Sequence, residues 1–203
     1  MSCTYSSAQI EKTIAFHGHS CPGLAIGIRV SELVQQRLGG LASADLLAVV
    51  ETDMCGVDAI QFLTGCTFGK GNLIHRDVGK MAFTFFDRSS GKGFRAILNP
   101  KQQAGIGTEL RGLMKKVSTG QASAAEKERS TQLRAEVQER YLQADLEEMF
   151  ITGEPVIEIP RGARVMASLP CEACGEMTME SRTRRFDGKI LCIPCFGQVE
   201  QKI

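Results

Sequence analysis

Apolar positions along the chain switch between helical and strand spacing, and the switches mark out a mixed set of elements. Ala8 to Phe16 reads as a short helix with Ile10, Ile14 and Phe16 facing inward. The chain breaks at His17-Gly18-His19-Ser20-Cys21-Pro22-Gly23, and a second helix runs to about Leu38 with Leu24, Ile28, Val30, Leu33, Val34 and Leu38 apolar. Gly39-Gly40 stops it, as expected where a positive φ follows a helix. Leu46 to Thr52 is a near-continuous, valine-rich run, the mark of a strand covered on both faces. It delivers Asp53, Met54 and Cys55 to its carboxyl end, and Asp58 to Leu63 reads as the helix after it.

A glycine-rich loop follows from Thr64 to Asn72. Met81 to Phe86 and Phe94 to Leu98 alternate as the strands of a hairpin turned at Ser89-Ser90-Gly91-Lys92-Gly93, and Asn99-Pro100 ends it. Gly107 to Lys116 is predicted helical. Ser123 with Glu126 forms a capping box before a long charged helix to about Phe150, with Leu133, Val137, Tyr141 and Ala144 as its packing stripe. Pro155 to Pro160 reads as a strand, and Arg164 to Leu169 as a further strand or a linker.

Composition narrows the class. The 203 residues are 43% hydrophobic and 23% charged, with a net charge of +1, which excludes a disordered tail and any whole-chain attraction to nucleic acid or anionic lipid. No apolar run approaches the ~20 residues that span a bilayer. Met1 to Gln9 lacks the basic and apolar regions of a secretory signal, so a cytoplasmic location is expected. In a reducing compartment the eight cysteines point to metal rather than to disulfides.

Four of them, Cys171, Cys174, Cys192 and Cys195, form two CxxC pairs separated by seventeen residues. Each pair sets two thiolates on one ion through a tight turn, and four soft sulfurs in tetrahedral array suit structural Zn²⁺. A module of 33 residues is too small for a self-sufficient core, so metal binding supplies much of its folding free energy. Arg182, Arg184 and Arg185 invite a nucleic-acid reading, but residues 171–203 hold five basic and five acidic side chains. The absence of a basic excess argues against phosphate neutralisation and for a docking or stabilising role.

The second concentration of ligand types is His17-x-His19-x-Cys21. In an extended segment this spacing puts all three on one side. Pro22 then opens a helix with Cys21 at its N-cap, where the helix dipole favours the thiolate, and Cys55 repeats the arrangement one strand later. Two thiols and two imidazoles make a mixed N/S site for a transition metal such as zinc, iron, nickel or copper, and an open position would make it catalytic. Cys66 stands as a fourth ligand, a resolving thiol for Cys55 or Cys21, or a buried small hydrophobe. His75 and Cys3 read as ordinary structural residues. The Gly65–Asn72 loop fails the P-loop test, since Gly71 stands where Ser or Thr would hold Mg²⁺. Asp53, Asp58, Asp77 and Lys80 are expected to orient ligands or to form ion pairs.

Four motifs occur in order: His17-Gly-His-Ser-Cys-Pro-Gly, Asp53-Met-Cys-Gly-Val-Asp-Ala-Ile-Gln, Thr64-Gly-Cys-Thr-Phe-Gly-Lys-Gly-Asn-Leu and Asp77-Val-Gly-Lys. Over about residues 10–160 they resemble the family named for the E-type component of formylmethanofuran dehydrogenase. Some members also end in a cysteine-rich zinc finger. The resemblance implies an α+β core, a mixed sheet with packed helices over residues 1–165. A small treble-clef or ribbon-like zinc module would follow over 166–203. It implies a homodimer, a metal near His17, His19, Cys21 and Cys55, with Cys66 also matching, and Asp58, Lys70 and Lys80 as neighbours. The expected ion is zinc, iron or nickel, with Cys21, Cys55 and Cys66 as the candidate reactive thiols. The family takes its name from a molybdenum or tungsten enzyme, which makes such an oxidoreductase the implied partner. Against a redox-associated role stand a non-catalytic accessory or metal-handling protein and, ranked lower, a metal-sensing zinc-finger regulator.

Overall fold

The computed structural model describes residues 3–39, 44–104 and 107–199, divided between two units, Met1–Gly162 and Ala163–Ile203. In chain order the first unit contains α1 (Ser7–His17), α2 (Pro22–Leu38), β1 (Leu46–Val50), α3 (Gly56–Thr64), β2 (Leu73–His75), β3 (Ala82–Asp87) and β4 (Gly93–Leu98). It continues with α4 (Pro100–Ala104), α5 (Thr108–Ser118), α6 (Ala124–Gln143), α7 (Leu146–Met149) and β5 (Phe150–Gly153). The strands form one mixed sheet in the order β2-β1-β3-β4-β5, with β1 and β2 parallel and the other pairs antiparallel. The α+β fold expected from the sequence is the fold observed.

The valine-rich β1 is buried along its whole length because both of its faces are covered. Leu46, Ala48 and Val50 join Phe83, Phe85, Phe94 and Ala96 beneath α2 and α6. Leu47 and Val49 on the other face pack with Phe86 against Ile74, Ile157 and Ile159. Residues 155–160 are therefore an irregular cover rather than the strand their alternation suggested. The fifth strand lies just before them, pairing Phe150–Gly153 with Leu98–Arg95.

The long charged helix also ends earlier than its pattern implied. Arg29, buried on α2, donates to the carbonyls of Leu142 (3.0 Å) and Ala144 (2.6 Å), taking up the last acceptors of α6. Asp145 then caps a new turn, its carboxylate accepting from Glu147 N–H at 2.8 Å. Glu32 holds the Arg29 charge at 2.9 Å and accepts from Thr4 N–H at 3.1 Å, so both buried charges are matched. Two short elements were not foreseen. Pro100, expected to end the hairpin, sits at the start of α4, with the Asn99 side chain accepting from Lys101 N–H at 3.1 Å. β2 has only three residues, too few for a period. Gly39 has the positive φ expected at the end of α2 (+71°), and Gly40 lies outside the described residues.

Helices α2 and α3 approach through glycines. A Cβ on Gly27 would stand 2.1 Å from the Gly56 carbonyl oxygen, and one on Gly56 would stand 2.9 Å from the Gly23 carbonyl oxygen. No other residue fits there. Gly112, exposed on α5, has nothing within 4 Å of its ideal Cβ.

Gly27→Ala is expected to destabilise the core by about 1–3 kcal/mol through overpacking. Gly112→Ala should instead stabilise it by about 0.5–1 kcal/mol, and denaturant midpoints distinguish the two. The Glu51 carboxylate is held below its ordinary value by a bidentate pair with Arg95, at 2.6 and 2.8 Å. A depressed carboxyl pKa contributes stability above the unfolded value and loses it as pH falls through the folded one. Glu51→Gln should therefore cost about 2 kcal/mol at neutral pH and flatten the fall in stability below about pH 4.5, measured by urea titrations across that window.

Candidate metal centres

The first group is assembled from three helix ends. Helix α1 begins at a Ser6–Gln9 capping box and ends at Gly18, whose φ of +90° turns the chain back as its N–H reaches the Ile14 carbonyl. His17 is thus the last helical residue, not part of an extended ligand strip. The turn brings the His19 ring to 4.4 Å from the His17 ring, centroid to centroid. Cys21 is the extended N-cap of α2, with Pro22 in the first turn, and its Sγ accepts from Leu24 N–H at 3.3 Å. Cys55 opens α3 differently. Its backbone is already helical and its thiol makes no cap hydrogen bond, so it does not repeat the Cys21 geometry. What presents it is the glycine contact, because an ideal Cβ on Gly23 would lie 3.2 Å from Cys55 Cβ and 3.7 Å from its Sγ.

One ligand atom from each of His17, His19, Cys21 and Cys55 lies within 4.8 Å of all the others. His17 Nδ1 lies 2.7 Å from Asp58 Oδ2, from the first turn of α3. That contact commits Nδ1 to the Asp58 carboxylate, while Nε2 is buried and without a hydrogen-bond partner. A buried imidazole nitrogen of this kind is costly unless a cation meets it. Burial pushes the Cys55 thiol up, and the neighbouring Cys21 adds to the shift by hydrogen bonding and charge. A cation beside the two sulfurs would reverse that shift of Cys55. The donor set therefore fits a borderline transition metal. Asp58, foreseen only as a neighbour, is the residue that orients His17.

Cys66 is not brought to this group. It is 0% exposed in the main core, with its thiol 3.4 Å from the Leu46 carbonyl, and burial pushes its pKa up. Of the three readings open in the sequence, the buried small hydrophobe describes its position. The Lys70 ammonium turns away to the Gly65 carbonyl at 2.9 Å, and the Lys80 backbone N–H donates to the Glu51 carbonyl at 2.9 Å.

Beside the four donors is an open cleft of about 380 Å³, where His17, Asp53, Cys55, Asp58, Phe68 and His75 contribute to the lining. His75 was read as structural. The β1-α3-β2 crossover brings it here, since the carboxyl ends of two parallel strands open on the same edge of a sheet. Recognising β2 as parallel to β1 would have found it.

In the second unit, β6 (Ser168–Pro170) pairs with β7 (Met177–Met179), and β8 (Thr183–Phe186) pairs with β9 (Lys189–Cys192) ahead of α8 (Ile193–Gly197). The four sulfurs of Cys171, Cys174, Cys192 and Cys195 lie within 4.8 Å of one another. Cys174 and Cys192 are 3.9 Å apart, near the separation of about 3.8 Å that a tetrahedron with 2.3 Å Zn–S bonds requires. Backbone N–H groups of Cys174 and Cys192 pull the Cys171 thiol down to about 6, while the Cys192 and Cys174 sulfurs push Cys195 up to about 12. Four thiolates at this spacing need a cation, and the arrangement fits Zn²⁺.

Among the described residues no helix is long and apolar enough to cross a membrane. Residues 16–151 match the FmdE family (FmdE, molybdenum formylmethanofuran dehydrogenase operon), and residues 166–201 match the prokaryotic dksA/traR C4-type zinc finger. A probable S-adenosyl-L-methionine-binding protein of Archaeoglobus fulgidus is 34% identical over 193 residues, which are 90% of this chain and 50% of that protein. The chain thus spans about half the length of this curated relative. A crystal structure of an FmdE-like protein of the tungsten formylmethanofuran dehydrogenase type, from Syntrophus aciditrophicus, superposes with a TM-score of 0.64 at 24% identity, covering 98% of this chain and 96% of that one. That likeness shows a shared fold. With the ordered motifs, the α+β core and the four-sulfur cluster accounted for, the chain belongs to the FmdE family and carries a C-terminal dksA/traR-type C4 zinc finger.

Proposed function

We propose that the core unit binds one transition ion, zinc, iron or nickel, through His17, His19, Cys21 and Cys55, and serves a redox or group-transfer reaction at the adjoining cleft. The observation that carries this reading is the buried, partnerless His17 Nε2 in a residue grouped with His19 and two thiols, while Asp58 takes the opposite nitrogen. A bound ion would supply Lewis acidity, and iron or nickel a change of oxidation state as well. The protein's own groups would orient and exchange protons with a small molecule, and Asp53 and His75 line the same cleft. Its volume lies within the range of about 300–1,000 Å³ common to small-molecule sites. The family's name supports a molybdenum or tungsten oxidoreductase as the partner, and the resemblance supports a homodimer.

A second reading, a metal-handling accessory, is favoured by the exposure of His19, the one donor of the four that faces solvent freely. A ligand that detaches without unfolding the chain permits exchange of the ion. The C-terminal finger is assigned structural zinc and a docking or stabilising role, its balanced charge arguing against nucleic acid.

Elemental analysis of anaerobically purified protein should find two metal equivalents per chain. Truncation after Gly162 should remove one, and Cys21→Ser or His17→Ala the other. A single equivalent that disappears with the finger would overturn the core site. Asp58→Asn should weaken the core metal about 10–100-fold in chelator competition, with the finger's zinc unchanged. Turnover of a small redox substrate that is lost in Cys55→Ser with the finger's zinc retained would select catalysis. Rapid transfer of the core metal to an apo-acceptor without turnover would select handling.

A further inference from the structure

A second cavity, of about 240 Å³, lies against the same two cysteines but differs in chemistry from the open cleft. Cys21 and Cys55 line it together with Ile26, Met81, Leu98, Leu110, Met114 and Val137. Its walls are thus hydrocarbon and thioether, and among the described residues no acidic side chain reaches it. The cleft, by contrast, carries Asp53 and Asp58. Cys55 is common to both.

The cavity has a charged rim and an apolar floor. On α6, Arg134 is exposed, Val137 is 8% exposed and Tyr141 is 0% exposed, at spacings that share one helix face. On α5 the same descent runs from Met114, 48% exposed, to Leu110 at 3%. The Tyr141 hydroxyl is committed to the Gln102 carbonyl at 3.3 Å, so its ring, not its polar end, remains for the cavity. The neighbouring cations of α5 and α6 are used, Lys116 by Glu126 and Arg129 by Glu109 and Glu136. Arg134 has no acidic partner among the described residues, and it is the one guanidinium that lines the cavity.

We infer that this cavity binds a short-chain aliphatic carboxylate, its charge on Arg134 and its hydrocarbon tail among Leu110, Val137, Met81 and Leu98, next to the Cys21 and Cys55 sulfurs. A guanidinium at the rim selects an anion and fits a carboxylate bidentately. The apolar interior selects a hydrocarbon tail, and a volume below that of drug-sized sites limits its length. An occupant there would keep water from one side of Cys55 while the cleft that carries Asp53 and Asp58 stays open on the other. The inference deepens the proposed function by naming a ligand class for it. It rests on that reading only in that two of the metal-binding residues form part of the wall.

The test is titration of the full-length protein, labelled with ¹³C-methyl methionine, with 4-methylpentanoate, using 4-methylpentylamine and 4-methylpentanol as charge controls. Saturable shifts of the Met81 and Met114 methyl resonances, assigned with Met81→Leu and Met114→Leu, are expected for the carboxylate alone. Arg134→Gln should weaken it about tenfold while leaving metal content unchanged. Val137→Phe should abolish binding by filling the cavity, and the remaining methionine resonances report whether that variant is folded. The inference is overturned if the carboxylate moves neither methyl, if the amine or the alcohol binds as well, or if Arg134→Gln binds normally. Metal analysis on the same samples keeps the two readings apart. Carboxylate binding in a protein without core metal sinks the metal site alone, and core metal without carboxylate binding sinks the cavity alone.

Discussion

The close contact of two backbones decides where the chemistry of this protein can be. Gly27 on α2 meets Gly56 at the start of α3 at a distance that leaves no room for a side chain, and the Gly23 carbonyl closes on the same glycine from one turn earlier. This contact sets Cys21 and Cys55, 34 positions apart in the chain, beside one another at two helix starts. The imidazoles reach the same point by a different device, the left-handed Gly18 that ends α1 and folds His19 back on His17. Neither device involves the metal. Both place ligand atoms by backbone geometry, which leaves the side chains little conformational freedom to lose when an ion binds.

Helix α2 ties the candidate metal site to the rest of the core. Its Cys21 end belongs to that site, and its middle carries the buried Arg29–Glu32 pair that ends α6 and anchors the segment at Thr4. A buried charge of this kind contributes little net stability but enforces a single arrangement of the groups around it. The sheet does the same on a larger scale. β1 is covered on both faces, and its carboxyl end opens onto the cleft that carries Asp53 and Asp58.

The two candidate metal sites were legible to different depths. The cysteines of the finger announce themselves by spacing, because each CxxC turn is local and the ligand geometry needs little from the rest of the chain. In the core, His17, His19 and Cys21 were visible for the same reason, although the helix read as ending at Phe16 takes in His17. Cys55 was suggested by its place after a strand. Asp58 as the partner of His17, and His75 on the cleft, depended on how α3 and β2 cross, which no short-range pattern records. Cys66 illustrates the converse. Its glycine-rich surroundings resembled those of a ligand, and only burial in the main core distinguishes it from one.

What the amino-acid sequence by itself determined was local: the helix starts at Cys21 and Ser123, the doubly covered strand, the hairpin, the CxxC pairs and the family motifs. These depend on dihedral preference, capping and hydrophobic period, all of which act over a few residues. Tertiary structure alone decided that α6 ends at Gln143, that Phe150–Gly153 rather than 155–160 pairs with the sheet, and that two cavities, one with carboxylates in its wall and one without, share Cys55. Each of these turns on a contact between residues far apart in the chain, a guanidinium on distant carbonyls, a strand register, two glycines in contact. Such contacts are chosen by the packing of the whole core, and their partners cannot be read from their immediate neighbours.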